Sequence, residues 1–209
     1  MTKVLVLGAG GAIASHVIDQ LENESDIELT LFARSKGSLS GYNSINTIVG
    51  DVLDKEDLEG AIKGHDIVYA NLSGAVDSMA QIIVDTMEKV NVERLIFVTS
   101  LGIYNEIPGK FGEWNNRMIG GALKAYRRAA DIIENSSLDY TVVRPAWLTN
   151  YNEIDYETTQ KGEDFKGTEV SRKSVGAYIS DIIKNPNKDS KSSVGVNKPG
   201  TEADKPSFY

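Results

Sequence analysis

A leucine- and valine-rich run, Val4-Leu5-Val6-Leu7, passes directly into Gly8-Ala9-Gly10-Gly11. The segment that follows places Ile13, Val17, Ile18 and Leu21 on one helical face. Glycines between a strand and a helix permit a tight turn and close approach of an anion to the backbone. The first free N–H groups of the helix then point at that anion. The spacing Gly8-x-x-Gly11-x-x-Ala14 suits a pyrophosphate: Gly10 adds freedom to the turn, and the small Ala14 lets helix and strand pack closely. The plain alternative is a glycine turn that binds nothing. Directly after the next strand-like run, Leu29 to Phe32, come Arg34, Ser35 and Lys36. A site for a dinucleotide with a free ribose 2′-hydroxyl normally carries Asp or Glu there. A guanidinium can fork onto a 2′-phosphate and stack on adenine, so Arg34 with Ser35 predicts NADP(H) in preference to NAD(H). The alternative for Arg34 is an ordinary exposed loop cation.

The elements that must position these residues are strands at Val4 to Leu7, Leu29 to Phe32, Ile45 to Val49, Ile67 to Ala70, Leu95 to Val98 and Thr141 to Val143. Apolar runs without polar alternation are what a parallel sheet covered on both faces requires. Helix-period stripes lie between them: Met79, Ile83, Met87 and Val90; Ile119, Leu123, Tyr126, Ala130 and Ile133; and Val175, Ile179, Ile182 and Ile183 before Pro186. Repeated βα units with right-handed crossovers predict an α/β doubly wound parallel sheet, a Rossmann fold, in a single domain over residues 1–200. Residues 201–209 read as a loose polar tail. Stretches 104–117 and 150–167 read as long loops at the carboxyl edge of the sheet, where open α/β sheets bind their ligands.

Composition removes other classes of function. Lys plus Arg total 22 against 30 Asp plus Glu, a formal charge of −8, which argues against electrostatic binding to nucleic acid or anionic membrane. The absence of cysteine excludes thiolate catalysis and cysteine-ligated metals, and two histidines, His16 and His65, leave little for a histidine metal site. Glu153, Asp155, Glu157, Glu163 and Asp164 are too scattered for a metal centre, so no metal is expected. No apolar run approaches the roughly 18 residues of a membrane span. The first residues lack a signal-peptide pattern, so a cytoplasmic protein is expected.

Further segments make a resemblance specific: Gly50-Asp51-Val52, Asn71-Leu72-Ser73-Gly74, Phe97-Val98-Thr99-Ser100-Leu101-Gly102-Ile103-Tyr104, Ser137 to Pro145, and Gly195-Val196-Asn197-Lys198-Pro199-Gly200. Together they resemble the atypical short-chain dehydrogenase/reductases, in the NAD(P)H-binding, NmrA-like branch. Within it the chain is similar to small bacterial proteins described as NADH-flavin reductases and, more distantly, to biliverdin reductase B. The resemblance covers residues 3 to 200. It implies that Gly8, Gly10, Gly11, Ala12 and Ile13 hold the pyrophosphate and that Arg34 and Ser35 meet the 2′-phosphate. Asp51 and Val52 would border adenine, and Asn71, Leu72 and Ser73 would line the ribose and the bridge to the nicotinamide half. Thr99 and Ser100 would lie near the nicotinamide, with Pro145, Ala146 and Trp147 packed around that end.

Dehydrogenases of this superfamily activate a carbonyl with a Tyr-x-x-x-Lys pair, in which the lysine lowers the tyrosine pKa. Here the two slots fall at Ala122 and Tyr126, so the pair is missing. Ser100 and Tyr126 remain as candidates for a catalytic role, with core packing the alternative for Tyr126. Flavins and quinones need less help, because hydride transfer leaves a delocalised anion that solvent can protonate. Tyr104, Phe111, Trp114, Trp147 and Tyr151 fall in the loops expected over the nicotinamide and could form a flat aromatic slot. They could equally anchor those loops. The expected function is an NADP(H)-binding oxidoreductase that reduces a flavin, quinone or similar planar acceptor. The alternative is a non-catalytic NADP(H)-sensing regulator of the NmrA type that works through a protein partner. A nucleotide-sugar epimerase or dehydratase would need the missing pair and a larger C-terminal lobe.

Overall fold

The computed structural model describes all 209 residues. Its centre is an eight-stranded sheet in the order β3-β2-β1-β4-β5-β6-β10-β8. The strands are β1 (Thr2–Leu7), β2 (Ile27–Ala33), β3 (Asn46–Val49), β4 (Ile67–Ala70), β5 (Arg94–Val98), β6 (Asp139–Pro145), β8 (Glu157–Gln160) and β10 (Ser192–Asn197). Every neighbouring pair is parallel except β10 with the edge strand β8. Two short strands, β7 (Trp147–Thr149) and β9 (Glu169–Ser171), pair in a separate ribbon.

The six expected strands are present, five of them with buried apolar centres. The exception is β3, expected as buried, whose residues are mostly solvent-exposed because it forms the edge of the sheet. Two-sided burial explains the unbroken apolar runs. Val4 and Val6 face one core with α1 (Ala12–Leu21) and α5 (Arg172–Lys184). Leu5 and Leu7 face the other with α2 (Lys55–Ile62), α3 (Val76–Val90) and α4 (Gly109–Glu134). No helix is long and apolar enough to cross a membrane.

Three expectations need correction. Residues 109–117, read as loop, form the first turns of the 26-residue helix α4. Gly112 disguised it: a Cβ there would lie 2.1 Å from the Ile107 carbonyl oxygen, so the helix start demands a glycine that otherwise signals a loop. The stretch 150–167 contains β8, the edge strand, which pairs with β10, and β10 in turn lies beside β6 through Ser192↔Thr141 and Val194↔Val143. The tail is packed rather than loose. Thr168 Oγ1 donates to the Thr201 carbonyl at 2.6 Å, Ser207 N donates to Glu169 Oε2 at 2.7 Å, and the Tyr209 ring reaches Trp114 and Trp147.

Candidate functional site

Strand β1 lies between β2 and β4, so the chain winds outward from it in both directions. At such a switch point the crevice beyond the strand ends is left open. A cleft of about 590 Å³ occupies that position, lined by Gly8, Gly10, Gly11, Arg34, Ser35, Ser38, Asp51, Val52, Asn71, Leu72 and Ser73, among others. The sharp exit from β1 rests on Gly8, whose φ is +79° and whose Cβ would sit 2.2 Å from the Asn71 carbonyl oxygen. The loop is held by Gly8 N and Ala9 N donating to the Phe32 carbonyl at 3.0 and 3.2 Å.

Helix α1 begins without a side-chain cap and has no acid in its first turn. The N–H groups of Ala12, Ile13 and Ala14 have no protein acceptor, since the helical ladder starts with Ser15 N donating to the Gly11 carbonyl. Most helix ends of this kind satisfy such donors with Ser, Thr, Asp or Asn. Here no side chain does. Ala12 and Ile13, expected at the pyrophosphate, do not line the cleft, whose wall takes Gly8, Gly10 and Gly11 from this segment.

At the end of β2, Arg34 is exposed and forms no ion pair, although acids outnumber bases in this chain. Ser35 is partly committed: its Oγ accepts from Ser38 N at 3.3 Å, capping the 3-10 turn Lys36–Leu39, and lies 2.9 Å from Ser38 Oγ. Ser38, which sequence reasoning passed over, thereby joins the same wall. Asp51 Oδ1 accepts from Leu53 N at 2.9 Å, so one oxygen shapes a turn while the residue still borders the cleft. A cleft lined by three glycines at the uncapped start of a helix and by one free guanidinium fits a phosphorylated dinucleotide.

A second pocket, of about 390 Å³, lies beyond β5 and β6 and is lined by Thr99, Ser100, Leu101, Ile119, Tyr126, Pro145, Ala146, Trp147, Leu148, Arg172, Phe208 and Tyr209. Five sequence-chosen positions, Thr99, Ser100, Pro145, Ala146 and Trp147, meet here, as does Tyr126. Thr99 spends its hydroxyl on the Val143 carbonyl at 3.2 Å, whereas the Ser100 hydroxyl has no protein partner. Burial raises the Tyr126 phenol above its ordinary pKa, so it holds its proton firmly. Trp147 is fixed by Nε1 donating to Asn115 Oδ1 at 2.9 Å, and its ring packs 4.9 Å from Trp114 and 5.2 Å from Tyr209.

Other choices fall elsewhere. Tyr104 does not line this pocket. Its hydroxyl donates to Glu134 Oε1 at 2.6 Å and lies 3.0 Å from Ser193 Oγ, while its ring lies under Arg127, Arg144 and Lys161. Tyr151 is exposed and off the pocket wall. Trp114 lies on α4 behind Trp147 and supports the wall without lining it, and Phe111 is buried against Trp114. Asn115, Arg172, Phe208 and Tyr209 were missed, because only the tertiary fold brings them to the strand ends. No group of three or more His, Cys, Asp or Glu residues is placed to hold a metal ion.

A doubly wound sheet with a glycine-lined cleft at its switch point is the architecture of a dinucleotide-binding Rossmann domain. Residues 8–186 match the family described as NAD(P)H-binding, and the chain belongs to that family. A Rossmann-fold NAD(P)-binding family protein from Shigella flexneri is 48% identical, with TM-score 0.86 and 100% of each chain covered. A short-chain dehydrogenase/reductase from Veillonella parvula, solved in complex with NADP, is 29% identical, with TM-score 0.89 and 99% of each chain covered. The oxidoreductase aprR of Aspergillus flavus is 26% identical over 66% of this chain, a stretch that spans 46% of that protein.

Proposed function

We propose that this chain is an NADP(H)-dependent reductase of a flat conjugated acceptor such as a flavin or quinone. The observation that carries the reading is the second pocket. Trp147, Tyr209 and Phe208 line the same pocket as Ser100, whose hydroxyl has no protein partner, and no Tyr-x-x-x-Lys pair is present. Arg34 beside Ser35 and Ser38 supports NADP(H) over NAD(H), and the NADP complex of the Veillonella relative is consistent with it.

Bound NADPH would supply a hydride, two electrons with one proton, and become NADP⁺. The chain's own residues do the rest. The N–H groups at the start of α1 and the Arg34 guanidinium bind the phosphates. Thr99, Pro145 and Ala146 shape the place of the nicotinamide end, and Trp147 offers a face for the acceptor ring. Tyr126, its pKa raised by burial and with no lysine to lower it, is a poor acid for a simple ketone. A flavin or quinone takes its second proton from solvent, so that deficit does not block the reaction.

Stopped-flow recording of NADPH oxidation with FMN, riboflavin and a small quinone tests the reading. Rapid oxidation with at least one of them is expected. Tight NADPH binding without oxidation by any of them would replace it with an NADP(H)-sensing role.

A further inference from the structure

We propose that Arg172 makes this pocket selective for flat acceptors that carry an anionic substituent, a phosphate or a carboxylate. The inference rests on the reductase reading and names the class of acceptor. Arg172 is the one charged side chain in a wall otherwise made of aromatic, aliphatic and hydroxyl side chains. Arg94, Arg127, Arg128 and Arg144 each pair with a carboxylate, but Arg172 pairs with none in a chain whose acids outnumber its bases. The other arginines without a carboxylate are Arg117, which lines neither pocket, and Arg34, which lines the dinucleotide cleft.

Its geometry is that of a presented fork. Nη1 alone is committed, donating to the Leu148 carbonyl at 3.3 Å and to Asn150 Oδ1 at 2.8 Å, which fixes the guanidinium at the pocket wall. Nε and Nη2 have no protein acceptor. A planar guanidinium held at one corner with two donor nitrogens free is suited to a phosphate or carboxylate. The neighbouring Lys173 is turned to Asn152 Oδ1 at 2.8 Å and takes no part in the pocket wall. The aromatic faces would take the conjugated ring and Arg172 the charged substituent, giving affinity at one end and orientation at the other.

The test is equilibrium binding of FMN and riboflavin, followed by flavin fluorescence, to wild type, Arg172→Gln and Arg172→Lys protein saturated with NADP⁺. The two flavins share a ring and differ in the phosphate. FMN is expected to bind about tenfold more tightly to wild type, the worth of one charge-assisted contact. The ratio should fall towards one in Arg172→Gln and be partly kept in Arg172→Lys. A naphthoquinone compared with its carboxylate derivative separates phosphate recognition from recognition of any anion. Equal binding of FMN and riboflavin to wild type, or a preference that survives in Arg172→Gln, would overturn the proposal. Because the readout is binding, it holds whatever the rate of NADPH oxidation. A lack of oxidation with every acceptor would sink the reductase reading separately.

Discussion

Arg144, at the end of β6, donates from Nη1 to Glu106 Oε1 at 2.5 Å, and neither side chain is open to solvent. The same carboxylate accepts from Gly102 N at 3.0 Å and Tyr104 N at 2.9 Å. Arg144 also donates from Nε to Ser193 Oγ at 3.1 Å and from Nη2 to the Ser193 carbonyl at 3.1 Å. One ion pair thus ties the loop after β5, which carries Thr99 and Ser100, to the β6–β10 side of the sheet. Its effect is to fix where the second pocket stands relative to the dinucleotide cleft.

Removing one member of a fully buried pair leaves a charge without compensation. Glu106→Ala should therefore lower stability by about 3–5 kcal/mol, read from urea unfolding. A loss below about 1 kcal/mol, as for an exposed pair, would show that the contact does not hold the loop.

Arg34→Ala should weaken NADPH about tenfold to a hundredfold and NADH much less, because both nucleotides lose the stacking on adenine but only NADPH loses the contact to the 2′-phosphate. Fluorescence titration with both nucleotides measures the two affinities. Equal losses would remove the 2′-phosphate assignment.

The uncapped start of α1 gives a prediction with opposite signs for stability and binding. Ala12→Asp places a carboxylate in the first helical turn, which should leave the unfolding temperature unchanged or raised through the helix dipole. The same charge should repel the pyrophosphate and reduce NADPH affinity. Calorimetric melting and a nucleotide titration on one sample check both signs. Undiminished affinity would mean that the phosphates do not lie at this helix.

His65 precedes β4, away from both pockets, and burial lowers its pKa, with backbone contacts to Ile62 and Ala61 opposing the shift. With the folded pKa below the unfolded one, the unfolded chain takes up the proton first as pH falls. The associated stability is complete above the unfolded value of about 6.5 and is lost as pH drops from there towards the lower folded value. Wild type should thus lose stability over this window more steeply than His65→Asn. Parallel unfolding curves for the two proteins would show that His65 is not the group responsible.

The dinucleotide half was legible because its signals are local. Gly8, Gly10 and Gly11 follow a strand in one continuous segment, and Arg34 follows the next strand directly. Ser38 escaped notice because it enters the wall through a 3-10 turn that no periodicity marks. The acceptor end was harder. Gly109, Gly112 and Pro108 give the start of α4 the composition of a loop, and of the two roles open to Tyr104, acceptor slot or loop anchor, the structure shows the anchor, with its hydroxyl on Glu134 and its ring under Arg144. Arg172, Phe208 and Tyr209 reach the pocket from the far end of the chain, and no spacing rule connects them to Ser100.

The central claim is direct hydride transfer from NADPH to an acceptor held in the Ser100–Trp147 pocket. Its most direct test is oxidation of NADPH deuterated on one or the other face of the nicotinamide C4, with FMN as acceptor, followed by mass analysis of the NADP⁺ formed. A fixed site predicts that one epimer yields NADP⁺ free of deuterium while the other retains it completely. Deuterium scrambled between the two, or no oxidation at all, would contradict the account.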